Sequence, residues 1–332
     1  MDFSTSEEQN LIKESFRTSF SGLVSLNSIR KTTESKAPFD PILWSDMSAM
    51  GLHGLLISER YGGSGLSLFE AAIVAEELGR SMAPIPFVAT SIMAPLLLMS
   101  CGSESQKKKW LPQIASGNAR IGVAVSEIAG GTRGDEELLY KDEKLSGKAS
   151  FTLDCGGAVA FIIADKEGHL YIVEAGDAGL KREAFPAVDG TRAVEHLVLQ
   201  SVNAEPLESA TRELIDQVIS AGRIILAAES LGASEAMLEQ AVNYAGERKQ
   251  FDRVIGSFQA VKHMCAEMAA EIQPCRALVW YAAYAFDHLK EEVALSACLA
   301  KSHMDEVSRF VAKTSTQVHG GMGYTDLQGL HF

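Results

Sequence analysis

A chain of 332 residues is long enough for two or three domains around an ample core. With 46% hydrophobic and 22% charged residues it has the composition of an ordinary globular protein, which excludes the disordered, collagen-like and disulfide-scaffold classes. A formal charge of −13 argues against a reader of nucleic-acid phosphates, which needs a basic stripe.

Residues 1–119 read as helical. The opening Met1 to Glu8 has neither the basic region nor the apolar region of a secretory signal, so a cytoplasmic location is expected. Thr5 or Ser6 caps a first helix with Glu7 and Glu8 in its first turn, where negative charge suits the dipole. Phe16 and Phe20, four apart, share a face of it. Asp40-Pro41 has the order of an N-cap followed by a first-turn proline. Tyr61-Gly62-Gly63-Ser64-Gly65 is a glycine-rich loop without the lysine and strand of a phosphate-binding loop, and reads as a sharp connector. Ser67 to Glu70 opens another helix with capping-box spacing, Gly79 is expected to end it, and Ala83 to Pro86 is a further break. The apolar run Ile92 to Met99 contains Pro95 and is too short to span a bilayer, so no membrane association is expected. Lys107, Lys108 and Lys109 read as a solvated helix end.

From Ile121 the character changes. Short β-branched runs at 121–125, 161–164, 170–173 and 194–199, punctuated by glycine pairs, predict a small β-barrel or sandwich over residues 120–206. From 207 to 332 helical periodicity returns. Leu214, Ile215, Val218, Ile219, Ile225 and Leu226 form one stripe, Leu278, Tyr281 and Ala285 a second, Val307, Phe310 and Val311 a third. They predict an antiparallel helical bundle. The fold class is therefore α+β and mostly α, with an N-terminal helical domain, a middle β-domain and a C-terminal bundle. Five cysteines with no Cys-x-x-Cys spacing read as free thiols, and eight histidines without ligand spacing predict no metal.

Two C-terminal segments carry chemistry. The first runs from Tyr244 through Arg248, Gln250 and Phe251 to Gln259. The second is Gln317-Val318-His319-Gly320-Gly321-Met322-Gly323. Arg248 offers a planar, permanently charged fork suited to phosphate oxygens. Phe251 offers an apolar face, and Gln259 and Gln317 offer amides to a base or ribose. Gly320 and Gly321 let backbone amides approach a bulky anion. Together with the weaker Tyr61 to Leu66 stretch and the domain order, these segments resemble the acyl-CoA dehydrogenase family over essentially the whole chain. The resemblance implies FAD as cofactor and an acyl-CoA thioester as substrate. It implies that Arg248, Gln250, Phe251, Gln259, Gln317, Val318, His319, Gly320 and Gly321 contact a flavin held mainly by a neighbouring subunit.

The pattern also departs from the family's. A carboxylate base must take the α-proton while flavin takes the β-hydride. The usual glutamate lies a few helical turns beyond the Gly-Gly-x-Gly segment, and this sequence ends nine residues past Gly323. The alternative position, beside an arginine on the first bundle helix, is Gly222-Arg223, and glycine is no base. Arg223 reads as a substrate-ordering residue or an ion-pair member, and Glu229 as a structural carboxylate. The flavin-contacting Thr-Glu-Pro-Gly loop reads Ser126-Glu127-Ile128-Ala129-Gly130-Gly131, with Ser126 a remaining candidate, and the Trp-Ile-Ser/Thr strand reads Phe151-Thr152-Leu153. The groups for the chain's own flavin are eroded, while those for a partner's flavin are intact. The resemblance thus implies the base-lacking subunit of a heterotetramer acting on a steroid side chain or another bulky acyl-CoA. A homologous partner would supply the carboxylate and an electron-transfer flavoprotein would accept the electrons. A self-sufficient homotetramer with Glu127 or an unrecognised carboxylate as base, a flavin-free structural paralogue and, more distantly, a flavin oxidase are the alternatives.

Overall fold

The computed structural model describes residues 5–34, 39–130 and 137–332. Helices α1 (Glu7–Leu23), α2 (Leu26–Glu34), α3 (Pro41–Ala49), α4 (Leu68–Ser81), α5 (Ala94–Cys101) and α6 (Glu104–Ala115) come first, with a π-helical turn at Val88–Met93 leading into α5. Then follow β1 (Ile121–Ala124), α7 (Ser126–Gly130), β2 (Leu139–Lys141), β3 (Lys144–Thr152), β4 (Ala160–Ala164), β5 (Leu170–Glu174), β6 (Leu180–Ala184) and β7 (Glu195–Pro206). The chain continues through α8 (Arg212–Glu247), a hairpin of β8 (Lys249–Gln250) and β9 (Arg253–Val254), α9 (Gln259–His288) and α10 (Val293–His319). The protein is mostly helical with a central sheet. Among the described residues no helix is long and apolar enough to cross a membrane.

Two compact units form. One comprises Ile29–Leu68 and Pro84–Gly222, the other Met1–Ser28, Phe69–Ala83 and Arg223–Phe332. In the first, a seven-stranded sheet runs in the order β1-β4-β5-β7-β3-β2, with β6 also on β7. β7 is long enough to pair with β3 from Glu195 to Asn203, with β6 from Glu195 to Leu199, and with β5 at Tyr171↔Pro206 to Val173↔Ala204. Every residue of β4 is buried, as a continuous apolar run predicts for a strand covered on both faces. Phe161, Ile163, Val173, Leu197 and Leu199 centre the sheet's core.

The helical caps form where the sequence places them. Ser6 makes a capping box with Gln9, and Asp40 accepts from the amides of Ile42 and Leu43 ahead of Pro41. The glycine-rich loop is a connector, because its amides are consumed internally. Ser64 donates to the Gly54 carbonyl, Gly65 to Ile57 and Leu66 to Leu55, at 2.8–2.9 Å. Nothing there is left to cradle a phosphate.

His53 is fully buried in this unit and stacks on Trp44, with ring centroids 3.6 Å apart. A carbonyl only accepts, so Nε2 carries the proton toward the Trp44 carbonyl at 3.4 Å, and Nδ1 accepts from the Ser91 hydroxyl at 3.1 Å. The neutral ring is satisfied on both sides. Burial, with Arg120 nearby, pushes its pKa down from 6.5 to about 4.

The second unit takes α8 from Arg223 onward together with α9 and α10, which are 30 and 27 residues long, and α1 and α4 pack with them. The structure corrects one expectation at α4. Gly79 does not end this helix, which continues to Ser81. Gly79 instead lets α8 cross: a Cβ at Gly79 would overlap the carbonyl of Glu229, and a Cβ at Gly232 would overlap the carbonyl of Glu76. The two backbones touch reciprocally. Beside the crossing, buried Glu76 accepts from Lys13 at 3.2 Å and from the Trp280 indole at 2.5 Å, and buried Glu77 takes a two-pronged bond from Arg17 at 2.9 Å. Phe310, placed in an apolar stripe by spacing, is 36% exposed, while Val307 and Val311 are buried. Phe310 lies at the edge of the helix's inner face.

Two stability measurements follow. Gly232→Ala is expected to cost about 3 kcal/mol, the upper end of overpacking, because a backbone carbonyl cannot rotate away. Gly246→Ala in the same helix meets open space, so it is expected to leave the thermal midpoint unchanged or raised. For His53, the unfolded chain binds a proton near pH 6.5 and the folded chain only near pH 4. Stability is therefore full above 6.5 and falls as pH drops toward 4, by roughly 3 kcal/mol from this group. Denaturant unfolding at pH 7 and pH 4 is expected to show a smaller loss in His53→Gln by that amount.

Candidate functional site

α8 ends in a hairpin rather than a simple cap. The amide of Arg248 closes the last turn on the Tyr244 carbonyl, and the amide of Ile255 returns to the Arg248 carbonyl, both at 2.8 Å. Pairing of Lys249 with Val254 and Gln250 with Arg253 leaves Phe251 and Asp252 as a two-residue turn. Their φ angles are 53° and 59°, the pair of positive values that a type I′ hairpin demands and that Asn-Gly usually supplies. A bulky aromatic in this region costs roughly 1–2 kcal/mol. Phe251 is nevertheless 86% exposed, touching Phe258 edge-on at 6.1 Å. The chain holds a strained aromatic out into solvent, and strain of this kind concentrates where a ligand or partner uses it.

The surroundings are cationic in an acidic protein. Arg248, Lys249, Arg253 and Lys262 lie on or beside the hairpin, all exposed. The Arg253 guanidinium sits 3.9 Å over the Phe258 ring, a cation–π contact that orients it. The guanidinium of Arg248 makes no ion pair or hydrogen bond among the described residues. A groove of about 490 Å³ opens between the last turns of α8 (Val242, Ala245, Gly246), the return of the hairpin at Gly256 and the first turns of α9 (Val261, Lys262, Cys265). Gln259, the first residue of α9, is exposed.

The second segment stands at the end of α10. Gly320 has φ 58° and ψ −136°, a conformation closed to side chains. Gly321 is exposed, and a Cβ there would meet nothing within 4 Å. The fold of this chain alone does not require glycine at 321. Gln317 is exposed, whereas Val318 and His319 are buried at 4% and 3%. His319 stacks on Tyr244, with centroids 4.6 Å apart, and this brings the end of α10 beside the end of α8. The structure thus gathers Arg248, Gln250, Phe251, Gln259, Gln317, Gly320 and Gly321 at one end of the bundle and turns the side chains of Val318 and His319 inward. Sequence reasoning gave no role to Tyr244 or to the groove residues. The signal for Tyr244 is its spacing, one helical turn before Arg248.

The remaining candidates lie apart from this end. Arg223, half-buried, approaches the Cys298 thiol at 3.6 Å. Gly222 belongs to the sheet-containing unit and is packed under Met93: a Cβ would come 3.1 Å from the Met93 sulfur. The Ser126 hydroxyl is spent on the Ser150 carbonyl. Gly131 lies outside the described residues. Phe151 has φ 54° and packs edge-on with Phe185 and His196 at 5.1 and 5.0 Å. Glu127 is half-buried, and its carboxyl is raised by burial first and then by Asp165, Glu137 and Glu167. Asp165, Glu167 and His169 stand close together, but the oxygens of Asp165 already accept from the amides of Glu167 and His169, the His169 ring and the Tyr171 hydroxyl. This carboxylate closes a turn.

Comparison with known proteins agrees at both ends of the chain. The acyl-CoA dehydrogenase N-terminal domain matches residues 6–118 and the acyl-CoA dehydrogenase C-terminal domain matches residues 213–331. The chain is 28% identical over 326 residues to the acyl-CoA dehydrogenase IpdE2 of Mycolicibacterium smegmatis, covering 96% of this chain and 89% of the relative. Among solved structures it superposes on the Tcur3481–Tcur3483 steroid acyl-CoA dehydrogenase with a TM-score of 0.87 and 28% identity, covering 98% of this chain and 91% of the other. It superposes on the ChsE4–ChsE5 complex of Mycobacterium tuberculosis with a TM-score of 0.89 and 25% identity, covering 98% and 90%.

The strain at Phe251 is open to measurement. Asparagine tolerates positive φ, so Phe251→Asn is expected to leave the isolated chain as stable as before or more stable by up to about 1 kcal/mol. A clear loss in denaturant unfolding would mean that Phe251 serves the fold.

Proposed function

The chain belongs to the acyl-CoA dehydrogenase family, and from that premise we propose that it is the base-lacking subunit of a heteromeric enzyme desaturating a bulky acyl-CoA thioester. The single observation that supports this most is the hairpin at 248–254: a guanidinium unpaired among the described residues, a strained exposed aromatic and neighbouring exposed cations. These donors fit a dinucleotide. Arg248 and Lys249 suit its pyrophosphate, Phe251 an aromatic base, and Gln259 and Gln317 the base edge or ribose. Gly320 and Gly321 leave room for close backbone approach.

FAD, when bound, supplies a two-electron acceptor for the β-hydride. The α-proton needs a carboxylate, and at 222 the chain presents glycine under Met93. The partner chain supplies that base in this reading, and an electron-transfer flavoprotein takes the electrons onward. Relatives solved as two-protein assemblies, Tcur3481–Tcur3483 and ChsE4–ChsE5, support a heteromer, and the former supports a steroid-sized acyl group. The residues Arg248, Gln250, Phe251, Gln259, Gln317, Gly320 and Gly321 then grip the FAD adenosine diphosphate from outside the partner.

One observation favours a second reading. Burial, with Asp165, Glu137 and Glu167 nearby, raises the Glu127 carboxyl above the ordinary range, the direction in which catalytic carboxylates are shifted, as a self-sufficient homotetramer would need.

Co-expression with a longer, base-bearing homologue separates the two. The complex is expected to purify yellow and to turn over acyl-CoA, and Arg248→Ala is expected to lose most of its flavin absorbance without loss of assembly. A chain that purifies alone with stoichiometric flavin and turns over acyl-CoA, with activity abolished in Glu127→Gln, would reverse the assignment.

A further inference from the structure

The two segments of the proposed clasp leave from the ends of different helices, and the structure ties those ends together at two points. The first is the Tyr244–His319 stack, with centroids 4.6 Å apart and planes 29° from parallel. Tyr244 stands one turn before Arg248, whose amide closes on the Tyr244 carbonyl at 2.8 Å. His319 is the last residue of α10, and Gly320 follows directly. The second point is Ser315, fully buried, whose hydroxyl donates to the Met237 carbonyl of α8 at 3.2 Å.

The His319 ring is held on one face by Tyr244 and at one nitrogen by the chain. It is 3% exposed, and its Nδ1 lies 2.8 Å from the Ser315 carbonyl. That carbonyl can only accept, so the proton sits on Nδ1 and the ring plane is fixed over Tyr244. The two contacts are one turn apart on α10 and two turns apart on α8. A single contact leaves one helix free to swivel on the other; two contacts remove that freedom. Both loops depart within a turn of the Tyr244–His319 stack, and helix ends otherwise fray.

We propose that the Tyr244–His319 stack is a strut that sets the distance between the Arg248 hairpin and the Gly320–Gly321 turn. His319 is then a positioning residue for dinucleotide binding, acting through Tyr244 without touching the ligand. The inference rests on the clasp proposed above. A ligand gripped by two loops binds more tightly when their separation is fixed beforehand, because the ordering cost is met during folding. The strut assigns a purpose to a buried, polar ring at the point where the chain turns toward the ligand.

The test uses the complex of this chain with its base-bearing partner, stripped of flavin and titrated with FAD. Thermal unfolding of the flavin-free complex serves as the fold control. His319→Leu is expected to weaken FAD binding about tenfold while the flavin-free thermal midpoint holds. His319→Phe, which keeps the ring, is expected to remain within about threefold of wild type. His319→Gln, which keeps a donor without the ring, is expected to follow the leucine variant. A purely structural histidine would lower the midpoint and FAD affinity together in all three. Wild-type affinity in His319→Leu, with Arg248→Ala losing FAD, overturns the strut and leaves the clasp standing. Wild-type affinity in Arg248→Ala removes the clasp, and the strut with it. Should the leucine variant not fold, the other two decide: tighter binding in the phenylalanine variant supports the strut, and equal binding overturns it.

Discussion

Two missing Cβ atoms fix the helix on which the candidate site stands. Gly79 and Gly232 let α4 and α8 meet backbone to backbone, each glycine against the carbonyl of a glutamate on the other helix. Such an approach leaves little room to slide, because any shift drives Cβ atoms of neighbouring residues into main-chain oxygens. The buried carboxylates beside the crossing are held by Lys13, Arg17 and the Trp280 indole, so α1 and α9 are drawn into the same joint. With the middle of α8 immobilised, its end is a dependable platform. Tyr244 and the hairpin beyond it inherit their position from a contact several turns away.

Much of the fold was legible because it follows from local rules. Ser6 and Asp40 cap their helices through side-chain oxygens that compete for free amides, and β4 reads as buried because its apolar run is unbroken. Gly79 was misread for a physical reason. A glycine near a helix end has the same local signature whether it terminates the helix or admits a neighbour, and only the tertiary partner distinguishes the two. Phe310 was placed inside for a similar reason, since periodicity assigns a face but not where that face ends.

The candidate site was legible in part. Arg248, Phe251 and the glycines announce themselves by residue type and order. The structure adds that Phe251 bears positive φ while exposed, and that His319 turns inward to Tyr244. Neither fact has a sequence signal of its own: Phe251-Asp252 is not a recognised hairpin turn, and a histidine among glycines reads as readily as a ligand contact. The groove beside α9 was invisible for the same reason, being assembled from residues of α8, the hairpin and α9 whose only relation is spatial.

The packing of Met93 against Gly222 bears on how such a chain can change over time. A Cβ at 222 would lie 3.1 Å from the Met93 sulfur, so the thioether has to give way, and trimming Met93 first opens a void among buried apolar neighbours. The first step crowds the Met93 side chain, and the second leaves a cavity that costs stability. The two positions are therefore coupled, and a carboxylate at 222 calls for a change at 93 as well.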